Sequence, residues 1–170
     1  MANVGTSKER GDEMTRTDQR GSIVIERPEC LRLLDAAAKE GRIGRLGIGL
    51  SGAPHIIPVN FSVFERKVLV RIGPGLLADH LEGMLVAFEV DHAEPGSKNG
   101  WSVLVRGLAE VVTNDESARL GRDLPEPIVI HPGTRVFSIR LDAVTGRAIS
   151  HDHFIFDVQA STFWASESGL

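Results

Sequence analysis

The side chains of this chain that could do chemistry are few and scattered. Its six histidines, His55, His80, His92, His131, His151 and His153, show no zinc-type spacing. His151-Asp152-His153 would set two imidazoles on one face of an extended segment, where they could bind a metal; a solvated tail is the plainer reading. Asp79, Glu82, Glu89 and Asp91 form no evident carboxylate dyad for acid–base work. There is no Gly-x-Ser-x-Gly elbow, no Cys–His pair at a telling spacing and no P-loop. Cys30 sits among Leu31, Leu33 and Leu34 and reads as a buried structural thiol rather than a nucleophile. More telling are polar residues set in or against apolar strands. Asn60 is disfavoured in a strand interior, so it needs a polar partner from ligand or backbone. Arg71 closes the run Val68-Leu69-Val70, where its stem can lie on apolar surface and its guanidinium can reach a phosphate. An exposed arginine is the bland alternative.

Short strands must position these groups. Pro28 to Glu40 predicts a first helix, with proline in the first turn, Leu31, Leu34 and Ala38 at helical spacing, and Gly41 as the stop. Ile43 to Leu50 predicts a strand with Ile43, Gly47 and Gly49 on one face and Leu46, Ile48 and Leu50 on the other. Its glycines suggest close approach of another backbone or a ligand. A turn at 51–54 leads to strands over His55–Phe64 and Lys67–Ile72, joined across Glu65-Arg66. A short helix follows over Pro74–Glu82, then strands over Met84–Val90 and Trp101–Val112, separated by a loop at 93–99. Thr113 and Glu116 have capping-box spacing for a helix ending near Gly121. A Pro-rich irregular stretch precedes a last strand over Val136–Leu141. Many short strands with few helices predict a mainly β, antiparallel barrel with peripheral helices rather than a doubly wound sheet.

The chain has 170 residues, enough for one domain with a core that needs no staples. A net charge of −4 and the lack of a basic run argue against a nucleic-acid surface. No apolar run approaches the roughly 20 residues of a membrane span, and the first residues lack the apolar core of a signal peptide. A single cysteine suits a reducing cytoplasm. Residues 1–21 are polar and predict a flexible arm, 22–149 the folded domain, and 150–170 an extension. Phe154, Phe156, Phe163 and Trp164 make that extension too aromatic for a purely disordered tail, so it is expected to pack on the barrel or on a partner subunit.

Several weak signals occur in a telling order: Pro-Val-Asn at 58–60, Arg71 before Gly73-Pro74-Gly75, Phe-Glu-Val-Asp at 88–91, Gly-Trp-Ser-Val at 100–103 and Thr-Gly-Arg at 145–147. Over about Glu29 to Ile149 the chain resembles the pyridoxamine 5′-phosphate oxidase-like family of flavin-binding split barrels. The resemblance implies a six-stranded antiparallel Greek-key split β-barrel and a homodimer with FMN in a groove between the subunits. It implies a flavin-dependent oxidoreductase acting on a small-molecule substrate, with neither nucleic acid nor membrane as partner. It places backbone groups of Pro58, Val59, Asn60 and Phe61 at the flavin ring, although Val59 and Phe61 also read as plain barrel core. It places Arg71, Ile72, Gly73, Leu76 and Leu77 around the phosphate, and Trp101 and Ser102 at the groove. The indole of Trp101 would cover a flavin or wall the groove, with a buried barrel tryptophan as the alternative. Arg106 shares a strand face with Ser102 and is expected to pair with Glu89 or Glu110. His80 follows the phosphate turn and could approach the cofactor.

The chain departs from the family pattern at Leu76 and Leu77, where relatives carry a hydroxyl and a base. One or two charge-assisted bonds of about 1.5–3 kcal/mol each would be missing. The deazaflavin F420, or a non-catalytic flavin-, haem-binding or sensor module with a degenerate site, are therefore alternatives. The basic substrate-binding residues of the true oxidases have no match, so pyridoxamine phosphate is not the expected substrate.

Overall fold

The computed structural model describes residues 22–50, 52–93, 95–96, 99–126 and 131–149. The arm at 1–21 and the aromatic extension at 150–170, with its His151 and His153, lie outside the described residues. The elements run β1 (Ile23–Ile25), α1 (Arg27–Lys39), β2 (Ile43–Leu50), β3 (Ala53–Phe64), β4 (Lys67–Ile72), α2 (Leu76–His80), β5 (Leu85–Ala93), β6 (Gly100–Val111), α3 (Asn114–Leu120), β7 (Arg135–Arg140) and β8 (Ala143–Ile149). A 3-10 turn over Gly121–Asp123 follows α3.

The strands form one antiparallel sheet in the order β1-β8-β6-β5-β2-β3-β4-β7, and β7 returns to pair with β6. The ring β6-β5-β2-β3-β4-β7 is thus a closed six-stranded barrel, the split barrel expected from the sequence. The two strands outside the ring, β1 and β8, were not anticipated; the segment after the expected last strand is itself a strand, paired to β6 over Gly100–Arg106. Closure depends on β6 changing partner. Its first half pairs with β8 and its last residues, Ala109–Val111, with β7. Gly107 sits at the exchange, and a Cβ there would lie 1.9 Å from the Arg140 carbonyl oxygen. No side chain fits at that crossing.

Alternation along the strands fills the barrel. Leu46 and Ile48 from β2, Val59 and Phe61 from β3, and Val86, Phe88 and Val90 from β5 are buried inside. Phe61 and Phe88 meet edge to face at 4.8 Å between ring centroids. The nearby crowded glycine is Gly44, where a Cβ would lie 2.3 Å from the Phe88 ring. Gly49, by contrast, has nothing within 4 Å of a virtual Cβ among the described residues. Helix α1 buries Cys30, Leu34 and Ala37 against β3, β6 and β8. Cys30 is the buried thiol expected: its Sγ donates to the Ile25 carbonyl, and burial raises its pKa. The β3–β4 hairpin turns at Glu65 and Arg66, both at positive φ (44° and 63°), the sense that matches strand twist.

Candidate functional site

β3 changes partner too, and the change falls on the expected site. From Ala53 to Asn60 it pairs with β2, and from Phe61 to Phe64 with β4. Over 53–60 its β4-side edge has no strand partner among the described residues. Pro54 and Pro58 suit such an edge, because proline has no N–H to give a ladder. Pro58 is exposed, whereas the side chains of Val59 and Phe61 lie in the barrel core. At this edge, therefore, Val59 has backbone to offer and no side chain, whereas Phe61, expected at the flavin from the resemblance, is already paired to Val70 of β4.

A strap formed by residues 121–126 crosses the outside of the split. Asn60 donates from Nδ2 to the Glu126 carbonyl at 3.0 Å, so the polar partner it required is backbone. Ser62 donates from Oγ to the Asp123 carbonyl, and Arg71 from Nε to the Pro125 carbonyl. That bond fixes the Arg71 guanidinium beside the open edge. Its two terminal amino groups have no partner among the described residues, so they remain available to an anion. The strap contacts join positions 54 to 66 residues apart and are invisible to local sequence patterns.

The other expected residues divide. Ile72 is core, Gly73 is exposed, and Leu76 is 73% exposed at the start of α2 while Leu77 packs partly on the core. His80 is turned back on its own helix, its Nδ1 2.7 Å from the Leu76 carbonyl oxygen. Arg135 was missed. It donates from Nη1 to the Ala78 carbonyl at 2.7 Å and lies 5.1 Å from the Phe137 ring centroid, tying α2 and its Gly-Pro-Gly turn to β7. An arginine two residues before a strand phenylalanine was the available signal.

Trp101 and Ser102 do not join this cluster. β5 and β2 lie between β6 and β3, a separation of three strand spacings or about 14 Å. The two residues also face opposite ways. Trp101 is on the barrel side, tilted against His92 at 6.3 Å, and Arg42 contacts the same imidazole at 2.8 Å. Ser102 points outward, opposite Asp91. Arg106 does not pair as expected either, because both carboxylates are taken. Arg45 binds Glu89 at 3.1 Å and Asp91 at 2.6 Å, while Glu110 lies 3.8 Å from both Lys67 and Arg140. Burial, and then the Asp91 charge, raises the Glu89 pKa despite Arg45. Among the described residues no three His, Cys, Asp or Glu side chains are grouped to hold a metal, and no helix is long and apolar enough to cross a membrane.

A closed six-stranded barrel with an open strand edge and a guanidinium beside it defines the split-barrel class. The chain belongs to the pyridoxamine 5′-phosphate oxidase family, whose sequence profile matches residues 26–148. It is 32% identical over 136 residues to an uncharacterised protein of Mycobacterium tuberculosis, covering 76% of this chain and 87% of that one. It resembles the solved FAD binding protein of Mycobacterium smegmatis at 30% identity and a TM-score of 0.61, covering 74% of this chain and 98% of that structure. A FAD-binding protein from Mesorhizobium loti, at 23% identity and a TM-score of 0.59, covers 76% and 99% and bears on the fold alone.

Proposed function

We propose that the chain binds a flavin nucleotide along the open edge of β3 and serves as a flavin-dependent oxidoreductase for a small molecule. The observation that carries this reading is the backbone edge at 53–60, without a strand partner among the described residues, beside the Arg71 amino groups that no described residue engages. Backbone donors and acceptors suit the polar rim of a flavin ring, and Arg71 suits its phosphate. Bound flavin would supply two-electron redox chemistry. The chain's own part is to hold and orient it: the strap fixes Arg71 and Asn60, and Arg135 anchors the turn at 73–75.

The exposed Leu76 offers neither hydroxyl nor charge to a terminal phosphate monoester such as that of FMN. FAD, which continues past this point as a pyrophosphate, makes less demand there, and a relative of 30% identity is an FAD binding protein. FAD is therefore the favoured flavin in this reading, ahead of the FMN implied by the sequence resemblance.

The same reading makes the active form a homodimer in the reducing cytoplasm. Trp101 and Ser102 lie three strands from Asn60, so a second copy is needed to bring them to one cofactor. The outer face offers a seat. Ile56, Gly47 and Ala87 stand in one row across β3, β2 and β5, with Leu85 two residues from Ala87 on the same face. Ile56 is 73% exposed and Leu85 70%, and contiguous exposed apolar surface marks an interface. Gly47 and Gly49 leave its floor low.

The test is a visible spectrum of the purified protein, then titration with FAD, FMN and F420 and light scattering for mass. Absorbance near about 450 nm with FAD bound, lost in Arg71→Ala, on a dimer that Ile56→Lys dissociates, is the expected result. A colourless protein that ignores all three overturns the flavin reading. Selective binding of F420 replaces it with a deazaflavin reductase. A monomer that binds FAD normally overturns the shared groove.

A further inference from the structure

The outer face of the sheet holds charges that do not balance where they stand. Arg45 on β2 is a single cation between two carboxylates of β5, 2.6 Å from Asp91 and 3.1 Å from Glu89. The cluster therefore carries one surplus negative charge. Asp91 has the shorter bond, so Glu89 is the less satisfied of the two. Burial, and after it the Asp91 charge, raises the Glu89 pKa in spite of Arg45. A second cation beside Glu89 would offset the Asp91 repulsion.

A cation of that kind stands on the same face. Arg106 is opposite Ala87, in the row that runs Ile56, Gly47, Ala87, Arg106 across β3, β2, β5 and β6. Glu89 is opposite Leu104, two residues from Arg106 along β6, so carboxylate and guanidinium belong to one outward set. Arg106 is exposed and has no partner among the described residues. Its own chain does not join the two, because the Glu89 carboxylate is turned to Arg45. Arg147, opposite Ser102, is engaged with backbone, its Nη1 2.9 Å from the Gly146 carbonyl oxygen.

A face with one surplus carboxylate, one unused guanidinium and an apolar row beside them is complementary to itself. In an isologous pair, residue i of one copy meets residue j of the other and j meets i, so each contact is made twice. Arginine is enriched in such interfaces, where its stem adds apolar contact and its fork binds a carboxylate.

We propose that this face pairs with a second copy of the chain through two reciprocal ion pairs, Arg106 of each copy with the partner's Glu89. The proposal rests on the homodimer reading above and adds what fixes the pairing. Ile56 and Leu85 supply apolar area, and the ion pairs select the partner and its register.

Sedimentation equilibrium of the purified chain measures the dimer dissociation constant. Arg106→Glu should set like charges against each other and weaken the dimer about tenfold or more, and Glu89→Arg should do the same. An equimolar mixture of the two variants should recover association close to wild type, because every contact between copies then joins opposite charges. Should Glu89→Arg fail to fold, Arg106→Gln decides: wild-type affinity should fall as salt is raised, and this variant should lose most of that dependence. A mixture that recovers nothing would place the pair within one chain and overturn the proposal. So would Arg106→Glu that dimerises like wild type while Ile56→Lys dissociates, and the apolar dimer would then stand without the ion pairs. A wild-type chain that stays monomeric overturns the homodimer reading and the ion pairs with it.

Discussion

The two halves of β3 share one backbone but meet different neighbours. From Ala53 to Asn60 the strand has β2 on one edge and nothing described on the other; from Phe61 to Phe64 it is joined to β4, and α3 lies beyond. The open half carries prolines, and its polar Asn60 is held by the strap. The closed half leads into the hairpin and a cavity under α3. Stability and function are thereby separated along one strand. Residues that close the barrel can be changed only at the cost of the fold, whereas those at the open edge can be changed with little effect on folding.

That separation can be broken first at the closed side. Phe88 is fully buried against Phe61, so Phe88→Ala should cost about 3–5 kcal/mol in denaturant unfolding. Gly107→Ala should be worse tolerated than an ordinary overpacking change of about 1–3 kcal/mol, because the obstacle 1.9 Å away is backbone rather than a movable side chain. Gly44→Ala meets chiefly the Phe88 ring, at 2.3 Å, and the Phe61 ring at 3.3 Å, both side chains, so pairing it with Phe88→Leu should recover part of the loss. If Gly107→Ala melts like wild type, the partner exchange in β6 is not what closes the barrel.

The open side should respond in binding instead. Arg71→Ala removes a charge-assisted bond of about 1.5–3 kcal/mol, so flavin affinity should fall about 10- to 100-fold. The melting temperature of the flavin-free protein should move little, since Arg71 is only partly buried. A large loss of stability with unchanged affinity would make Arg71 a strap anchor and nothing more.

How much of this was legible in the sequence follows from the range of each interaction. β2 and β4 match their expected limits, and the capping box and the Glu65-Arg66 turn lie where spacing placed them. All four are set by residues a few positions apart. β8 escaped because its buried positions include Gly146 and Ala148, which carry almost no hydrophobic signal. β1 escaped because Ile23–Ile25 is too short for a period to show. The site was half legible. Asn60 and Arg71 announced a need for polar partners, but the carbonyls of 123–126 that fix them are supplied by tertiary folding. The facing of Trp101 away from Ser102 followed from strand alternation, but their distance from Asn60 depends on strand order, which no local pattern encodes.

Acid should sharpen the comparison through two carboxylates that titrate in opposite senses. Hydrogen bonds from the Thr113 backbone and side chain lower the Glu116 pKa, so Glu116 contributes stability above the ordinary carboxylate range and loses it as pH falls through its lowered value. Burial raises the Glu89 pKa, so its contribution is full below that range and is lost as pH rises through the raised value. Glu116→Gln should therefore flatten the acid limb of a melting-temperature profile, and Glu89→Gln should remove a decline just above the ordinary range. Thr113→Ala should cost about 1 kcal/mol through the lost cap. Identical profiles for both Gln variants would show that neither environment is as described.

The smallest effect should come from the hairpin tip, where the closed half of β3 ends. Glu65 and Arg66 both hold positive φ, a conformation that costs most L-residues about 1–2 kcal/mol. Asparagine and glycine accept it more readily. Glu65→Asn with Arg66→Gly should therefore stabilise the protein, by about 1 kcal/mol once the added chain entropy of glycine is counted. Denaturant midpoints measure this directly. The change should leave flavin affinity alone, because the tip lies at the opposite end of the β3–β4 pair from Arg71. A gain in stability accompanied by altered flavin binding would mean that the two halves of β3 communicate, and the separation drawn between them would fail.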